Sequence, residues 1–267
     1  MGELREKALF IVRGPKNSGK TTFLEALRAM MGDYALSADF EKTFGQMQRN
    51  GGASPELARL AGARLVLCSE IEPGTKVSQH LVKRVTGGDP LTARHLFKGY
   101  FDFRPQFTLL LVCNDDIRFS LEDDAMWERI KRIPFPFTIP KADQDTRLQT
   151  VLRDPEMGGK ALLAWAVEGC LLWQREGLME PQAVIDSTLQ YRQELDPLAD
   201  WFDDCVELEP DAFTSTADLY ESYTWWCNNQ QEKPIHIKTF GKLFPINRPV
   251  AKHRTERARG YRGVRLT

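Results

Sequence analysis

The chain has 267 residues, of which 42% are hydrophobic and 27% are charged, and its formal net charge is −1. This composition is typical of a soluble globular protein with one or two domains. No stretch approaches the ~20 apolar residues of a membrane-spanning helix, and the charged start lacks the apolar region of a signal peptide. We therefore predict a cytoplasmic protein without a membrane partner. The five cysteines form no CxxC pair, so neither a disulfide framework nor a zinc site is indicated.

The first predicted elements are a buried strand over 8–12, a glycine-rich loop and a helix over 20–31. The loop matches GxxxxGK[ST] between a strand and a helix, which is the context of a phosphate-binding P-loop. In such a loop Lys20 reaches the β- and γ-phosphates and the Thr21 hydroxyl holds Mg²⁺. The sequence therefore predicts ATP and Mg²⁺ as cofactors. The predicted nucleotide-binding residues are Gly14, Pro15, Lys16, Asn17, Ser18, Gly19, Lys20, Thr21 and Thr22.

Apolar runs over 64–68 and 108–113 predict two more buried strands, and together with the first strand they indicate a largely parallel α/β sheet. Glu70 follows the second strand and Asn114 follows the third. ATP hydrolysis needs an acid near the metal and a polar group near the attacking water, so we predict catalytic roles for both residues and a metal-binding role for Glu70. Glu72 is the alternative to Glu70 as the base.

Between these two strands the pattern predicts a helix over 77–85 and a hairpin with arms 90–97 and 100–107. A longer helix is predicted over 159–177. The last part of the chain is aromatic, and its pattern of three helices followed by a strand pair resembles a winged helix. The predicted elements of this part are helices over 197–205, 215–230 and 238–243 and a β-like end over 261–266.

Charge is distributed unevenly near the end of the chain. Residues 195–232 contain ten Asp or Glu and no Lys or Arg, whereas residues 233–267 contain ten Lys or Arg and one acid. Such a basic segment could attract a phosphate backbone. Alternatively it is a solvated tail, or it pairs with the acidic segment before it, and charge alone does not decide between these hypotheses.

The order of motifs carries a family resemblance. The runs GPKNSGKTTF, RLVLCSEIEPG, LVKRVTGGDPLTARHLFKGYFDFRPQFTLLLVCND and WERIKRIPFPF resemble superfamily 3 helicases, in particular the phage and plasmid primase-helicases that are grouped with the poxvirus primase-helicase. The resemblance continues through PLADWF, DLYESYTWWC and GYRGVRL. It implies an AAA+-like P-loop ATPase core over residues 1–150, a helical linker or lid over 151–195, and a winged-helix-like DNA-binding domain over 196–267.

The resemblance also implies roles for individual residues. Lys20, Glu70 and Asn114 keep the roles given above, and Arg129 matches an arginine finger that reaches the ATP of a neighbouring subunit. Arg132 is the nearby alternative to Arg129. Because such a finger makes the active site shared between subunits, the resemblance implies a ring, by family a homo-hexamer.

The predicted hairpin would point into the channel of this ring, where Lys98 would track the phosphates of single-stranded DNA. The aromatic side chains of Phe97 and Phe101 are expected to pack the hairpin onto the domain rather than stack on bases. The supporting cations are Lys83, Arg84 and Arg94.

The leading hypothesis is an ATP-dependent DNA helicase, 3′ to 5′ by family, for phage, plasmid or prophage replication. One alternative is an origin-binding initiator that hydrolyses ATP slowly and binds duplex DNA through the C-terminal domain. Another is a P-loop kinase of a different class. The family also implies a primase partner, and the sequence leaves open whether this chain is a stand-alone helicase or part of a longer primase-helicase.

Overall fold

The computed structural model describes residues 4–45, 54–69, 71, 75–255 and 258–267. They divide into two compact units. The first comprises Met1–Phe119 and Ala125–Leu189, and the second comprises Ser120–Asp124 and Gln190–Thr267. The domain boundaries predicted at residues 150 and 195 stay predictions. None of the described helices is long and apolar enough to span a membrane.

The first unit is built on seven strands and the helices between them. The strands are β1 (Leu9–Arg13), β2 (Ala35–Ser37), β3 (Leu65–Cys68), β4 (Leu91–Arg94), β5 (Tyr100–Phe103), β6 (Thr108–Cys113) and β7 (Ile130–Pro134). The helices are α1 (Lys20–Met31), α2 (Phe40–Phe44), α3 (Pro55–Arg59), α4 (Gln79–Gly87), α5 (Asp124–Trp127), α6 (Leu148–Arg153), α7 (Lys160–Glu176) and α8 (Gln182–Glu194). Both α5 and α8 cross the division between the units.

Five of these strands form one sheet in the order β2-β3-β6-β1-β7, and every neighbouring pair is parallel. The strands predicted over 8–12, 64–68 and 108–113 are confirmed as β1, β3 and β6. Parallel strands are buried on both faces because their connections cross over the sheet. A core cluster containing Val12, Leu24 and Leu110 accordingly packs helix α1 against one face.

Strands β4 and β5 form a separate antiparallel hairpin, in which Leu91 lies opposite Phe103 and Arg94 opposite Tyr100. The hairpin is confirmed, but its arms are shorter than predicted. Pro105 lacks the N–H that a longer β5 would need, and Phe97 has a φ of 60°, which is incompatible with an extended strand.

The second unit has a winged-helix order of elements. They are α9 (Ala199–Cys205), β8 (Val206–Ser215), α10 (Thr216–Asn229), α11 (Ile237–Leu243), β9 (Ala251–Arg254) and β10 (Arg259–Leu266). The three strands pair antiparallel in the order β8-β10-β9. The predicted winged-helix-like fold is therefore confirmed, with β8 as the strand that the sequence pattern did not predict.

Aromatic side chains fill the core of the second unit. Trp201 is fully buried, and its ring centroid lies 5.5 Å from that of Phe240 and 5.6 Å from that of Tyr223. The ring centroids of Phe244 and Tyr261 lie 4.6 Å apart, and this contact packs the helices against strand β10. Buried aromatics contribute a large apolar area per residue, so this small unit acquires a substantial core from few side chains.

Candidate functional site

The loop between β1 and α1 has a backbone that depends on its glycines. A Cβ at Gly14 would lie 2.1 Å from the carbonyl oxygen of Phe135, so no larger residue fits there. Gly19 has a φ of +85°, in the left-handed region that glycine adopts without strain. The predicted P-loop is thus a tight turn whose backbone can approach a ligand closely.

The amino end of α1 is open toward this loop. No side chain caps it and no acidic residue lies in its first turn, so its N–H groups and partial positive charge are available to an anion. The Thr21 side chain is exposed at the same end. These features fit the phosphates of a nucleotide and a hydroxyl ligand for the accompanying Mg²⁺.

Lys20 is buried inside the loop. Its Nζ donates to the carbonyl oxygens of Gly14 and Pro15, each at 2.6 Å, and to the Ser18 hydroxyl at 3.2 Å. Burial lowers the pKa of Lys20 from its usual value. The amine is therefore held by uncharged oxygens only, an arrangement in which a phosphate group would be a stronger partner.

The segment after β7 lies along the P-loop, which the sequence did not predict. The Phe135 N–H donates to the carbonyl oxygen of Arg13 at 2.8 Å, and the Ile139 N–H donates to that of Asn17 at 2.9 Å. These two bonds continue the β1–β7 pairing past the end of both strands. The apolar run IPFPF could have indicated this contact. It was quoted only as part of the family resemblance, and no structural role was predicted for it.

Asn114 lies next to the P-loop. In the sheet Arg13 is in register with Cys113, so the residues that follow them, Gly14 and Asn114, leave neighbouring strands at the same edge. The Asn114 side chain is exposed there. The two sites that the sequence predicted separately are thus adjacent.

The predicted acids Glu70 and Glu72 both lie outside the described residues. Strand β3, which precedes them, ends at Cys68 beside Leu111 of β6, so its carboxyl end lies one strand away from that of β6. Within the described residues no group of three or more His, Cys, Asp or Glu side chains is placed to hold a metal ion. The metal-binding role of Glu70 stays a prediction.

Arg129 is half-buried, and its Nη1 donates to the carbonyl oxygen of Ala125 in the same chain. Arg129 immediately precedes β7, and its carbonyl oxygen accepts the N–H of Leu9, the first residue of β1, at 2.7 Å. It therefore lies at the amino edge of the sheet, roughly 13 Å along β1 from its own P-loop. Arg132 is buried and pairs with Asp116 at 3.0 Å.

The tip of the β4–β5 hairpin exposes two adjacent side chains. Lys98 is exposed, and its N–H closes the turn by donating to the carbonyl oxygen of His95 at 3.1 Å. Phe97 is 103% exposed, so the expectation that it packs against the domain was wrong. The ring of Phe101 is stacked 5.2 Å from that of His95, a contact within the hairpin, so its packing against the domain stays a prediction.

The other predicted cations lie farther from the tip. Arg94 lies over the ring of Tyr100 at 5.2 Å, close to the turn. Arg84 donates to the carbonyl oxygen of Pro90, where α4 joins the hairpin, and Lys83 is half-buried on α4. Arg94 is therefore placed to support Lys98, whereas Arg84 braces the base of the hairpin.

Six cations of the basic segment at the end of the chain form two groups. Arg248, Arg262 and Arg265 pair with Asp196, Asp211 and Glu207 at 2.6, 3.2 and 2.5 Å. The alternative that this segment pairs with the acidic segment before it is thus confirmed for these three arginines.

The second group consists of Lys252, Arg254 and Arg259 on the β9–β10 hairpin. All three are exposed, and none has an ion pair within the described residues, which exclude 256–257 of the connecting turn. Arg254 and Arg259 lie directly opposite each other. Like charges in this position destabilise a hairpin, so an anionic partner would relieve a repulsion.

Residues 12–131 match a family of unknown function (DUF5906). Curated relatives are named "Putative helicase L207/L206" from Acanthamoeba polyphaga mimivirus, 28% identical over 84% of this chain, and "Putative helicase 022R" from Frog virus 3 (isolate Goorha), 26% identical over 83%. The predicted resemblance to viral helicases is confirmed. "Putative helicase 184R" from Invertebrate iridescent virus 6 is 26% identical over 91% of the chain.

The chain spans about a quarter of the length of these relatives: 25%, 24% and 29% of the three proteins. A solved structure, "The A form apo structure of NrS-1 C terminal region-CTR", aligns over 98% of this chain and 67% of that one, with a TM-score of 0.49 and 11% identity.

Proposed function

We propose that this chain is the motor part of an ATP-dependent DNA helicase that acts as a ring, by family a hexamer moving 3′ to 5′. The observation that carries the proposal is the P-loop, with its uncapped helix and buried Lys20, placed beside Asn114 at one edge of a parallel sheet. Relatives named as helicases support the same class of activity. The replication role, the cytoplasmic location and the primase partner belong to this proposal.

In the proposed ATP site, the loop N–H groups and Lys20 bind the phosphates, and Thr21 with Glu70 holds Mg²⁺. The metal would neutralise charge that develops on the transferred phosphoryl group. Asn114 would position the attacking water or contact the γ-phosphate, for which its exposed amide and its place beside Gly14 are suited. Glu70 would act on the metal or the water, and Glu72 stays the alternative base.

The proposed site is completed by a second subunit. Arg129 lies at the edge of the sheet opposite its own P-loop, so it is not placed to serve that site and would act on the site of a neighbouring subunit. Arg132 is occupied inside its own subunit by Asp116, which favours Arg129 as the finger. Such fingers accelerate hydrolysis by on the order of 10³–10⁵.

Single-stranded DNA is the proposed partner of the β4–β5 hairpin. The exposed Lys98 would contact phosphates, and the exposed ring of Phe97 beside it offers a stacking surface for a base. ATP binding and release at the subunit interfaces would move these tips along the strand.

The first experiment measures the ATPase rate of wild type, Lys20→Ala and Lys160→Ala against protein concentration, with and without single-stranded DNA. Lys160 is the control, because it is an exposed lysine of α7 outside the P-loop. We expect a specific activity that rises with concentration and with DNA, is lost in Lys20→Ala and is retained in Lys160→Ala. Hydrolysis that persists in Lys20→Ala would contradict the proposed mechanism, and a flat activity indifferent to DNA would contradict the shared site.

A second candidate function is an origin-binding initiator with slow turnover. The observation that favours it is the cluster of Lys252, Arg254 and Arg259, which lacks acidic partners within the described residues. Duplex DNA would be its partner. Tight duplex binding combined with hydrolysis but no strand separation would favour this function over the helicase.

A further inference from the structure

Three charged side chains meet behind the predicted Asn114 site. Arg132 donates through Nη2 to both carboxylate oxygens of Asp116, at 3.0 and 3.3 Å, and Arg13 Nη2 lies 3.6 Å from one of them. The sequence analysis gave Asp116 and Arg13 no role, and considered Arg132 only as an arginine finger. These contacts join the ends of β1 and β6 to the interior of β7.

The cluster becomes more exposed toward the P-loop. The side chain of Arg132 is 5% exposed, that of Asp116 22% and that of Arg13 40%. Arg132 is further fixed by a bond from Nη1 to the carbonyl oxygen of Ser187 at 3.2 Å. The Arg132–Asp116 pair therefore has a buried, hydrogen-bonded arginine and a carboxylate that also contacts Arg13, the residue before the P-loop.

The position of Asp116 in the chain makes it suited to hold the loop after β6. It follows Asn114 by two residues, and Arg13 directly precedes Gly14. Residues 114–116 form no main-chain hydrogen bond beyond the sheet itself in the described structure. The Asp116 side chain is thus a direct contact between this loop and Arg13, the residue before the P-loop.

We propose that Asp116 is a positioning residue, which anchors the Asn114 loop to Arg132 and Arg13 so that the Asn114 amide meets the γ-phosphate end of bound ATP. This inference rests on the proposed ATPase function. It adds a role for a residue that touches neither the nucleotide nor the metal.

A purely structural role would have a different signature, and the chain contains a matched control for it. Lys131, the neighbour of Arg132 in β7, pairs with Glu180 at 2.6 Å, and their side chains are 15% and 31% exposed. The Lys131–Glu180 pair is partly buried, like the Arg132–Asp116 pair. It lies on the other face of β7, because successive side chains of a strand point to opposite faces. Glu180→Gln therefore removes a comparable ion pair without touching the Asn114 loop.

The test compares wild type, Asp116→Asn, Asp116→Glu and Glu180→Gln in the full chain. For each we would measure the thermal midpoint, the Kd for ADP, the Kd for ADP with aluminium fluoride and the kcat of ATP hydrolysis. We expect Asp116→Asn to lower kcat by on the order of 10²-fold, the effect of a displacement of about 1 Å in a catalytic group. Affinity for ADP–aluminium fluoride should fall in parallel, and affinity for ADP should be kept.

Partial rescue by Asp116→Glu and an unchanged kcat in Glu180→Gln would complete the expected pattern. Wild-type kcat in Asp116→Asn would overturn the inference. Equal losses of kcat and thermal midpoint in Asp116→Asn and Glu180→Gln would also overturn it, because they would show a structural role.

Two further results separate this inference from the function on which it rests. If Asp116→Asn does not fold, Arg13→Gln replaces it in the test, because this variant keeps the buried Arg132–Asp116 pair. We expect a smaller loss of kcat at constant ADP affinity. An unchanged kcat in Arg13→Gln would overturn the inference. If Asp116→Asn hydrolyses ATP as fast as wild type, only the inference is refuted. A wild-type protein without ATPase activity refutes the proposed function and the inference with it.

Discussion

Two hairpins of this molecule expose cations, and they differ in what surrounds those cations. At the tip of β4–β5, Lys98 stands beside the fully exposed ring of Phe97. On β9–β10, Arg254 faces Arg259, the nearby Tyr261 ring is buried in the core, and the His253 ring packs against Phe213. A cation beside an accessible ring suits single strands, whose base faces are free to stack. Cations alone suit the phosphates of a duplex. On this comparison we propose single-stranded DNA as the partner of the β4–β5 hairpin and duplex DNA as the partner of the β9–β10 hairpin.

The largest expected effect follows from removing the cation at the tip of the first hairpin. Lys98→Ala should abolish strand separation and DNA-stimulated hydrolysis while it leaves nucleotide binding intact, because the side chain belongs to the hairpin tip and not to the P-loop. Unwinding of duplexes with 3′ or 5′ tails measures both the loss and the direction. Lys160→Ala, an exposed lysine of α7, is the control. Full unwinding by Lys98→Ala would remove this hairpin from the mechanism.

The aromatic side chain at the same tip should have a smaller effect. Stacking of one base contributes about 1–3 kcal/mol, so Phe97→Ala should weaken single-strand binding by about 5- to 150-fold. Phe97→Trp should retain the affinity, and Leu96→Ala, an exposed aliphatic neighbour, serves as the control. Fluorescence anisotropy with a labelled single strand measures these affinities. Equal losses in Phe97→Ala and Leu96→Ala would contradict a stacking role.

The second hairpin is tested by the salt dependence of duplex binding. The double variant Arg254→Ala/Arg259→Ala should reduce the slope of log affinity against log salt by about 2, because each arginine would neutralise one phosphate. Arg262→Ala/Arg265→Ala removes the same charge from arginines that are paired with acids, and its slope should match wild type. If the two double variants reduce the slope equally, the division of the basic segment into two groups has no functional meaning.

The smallest expected effect concerns stability without DNA. Arg259→Thr removes the like charge opposite Arg254, so it should raise the free energy of unfolding by about 0.2–1 kcal/mol. Arg262→Thr, which breaks an exposed ion pair with Asp211, should lower it by about 0–1 kcal/mol. Chemical denaturation measures both changes. A loss of stability in Arg259→Thr would show that Arg259 has a favourable role in the folded protein itself.

The sequence predicted those elements of the fold whose buried side chains are apolar. Strands β1, β3 and β6 are continuous apolar runs, and α1 follows a P-loop, so local pattern and tertiary structure agree. Strand β7 was missed because Lys131 and Arg132 interrupt its apolar pattern. Their partners, Glu180 and Asp116, are distant in sequence, and no local pattern reveals such pairs.

The candidate site shows the same limit. The P-loop and Asn114 could be predicted as candidates from residue type and position at the ends of strands, and the structure places them on neighbouring strands. Their catalytic roles stay predictions. The surroundings of the predicted cations and aromatic residues could not be predicted, because they depend on contacts between segments that are distant in sequence. Net charge along the chain could not separate the paired Arg262 from Arg259, which has no ion pair within the described residues. A hairpin pattern could not show that Phe97 is exposed whereas Phe101 is stacked.

The central claim, an active site shared between subunits, is tested most directly by mixing two inactive variants. Lys20→Ala lacks the phosphate contact but keeps Arg129, and Arg129→Ala lacks the finger but keeps the P-loop. If one subunit completes the site of the next, the mixture should hydrolyse ATP at a rate well above either variant alone, and the rate should peak near equal amounts. A mixture as inactive as its components, under conditions where wild type hydrolyses ATP, would contradict the shared site.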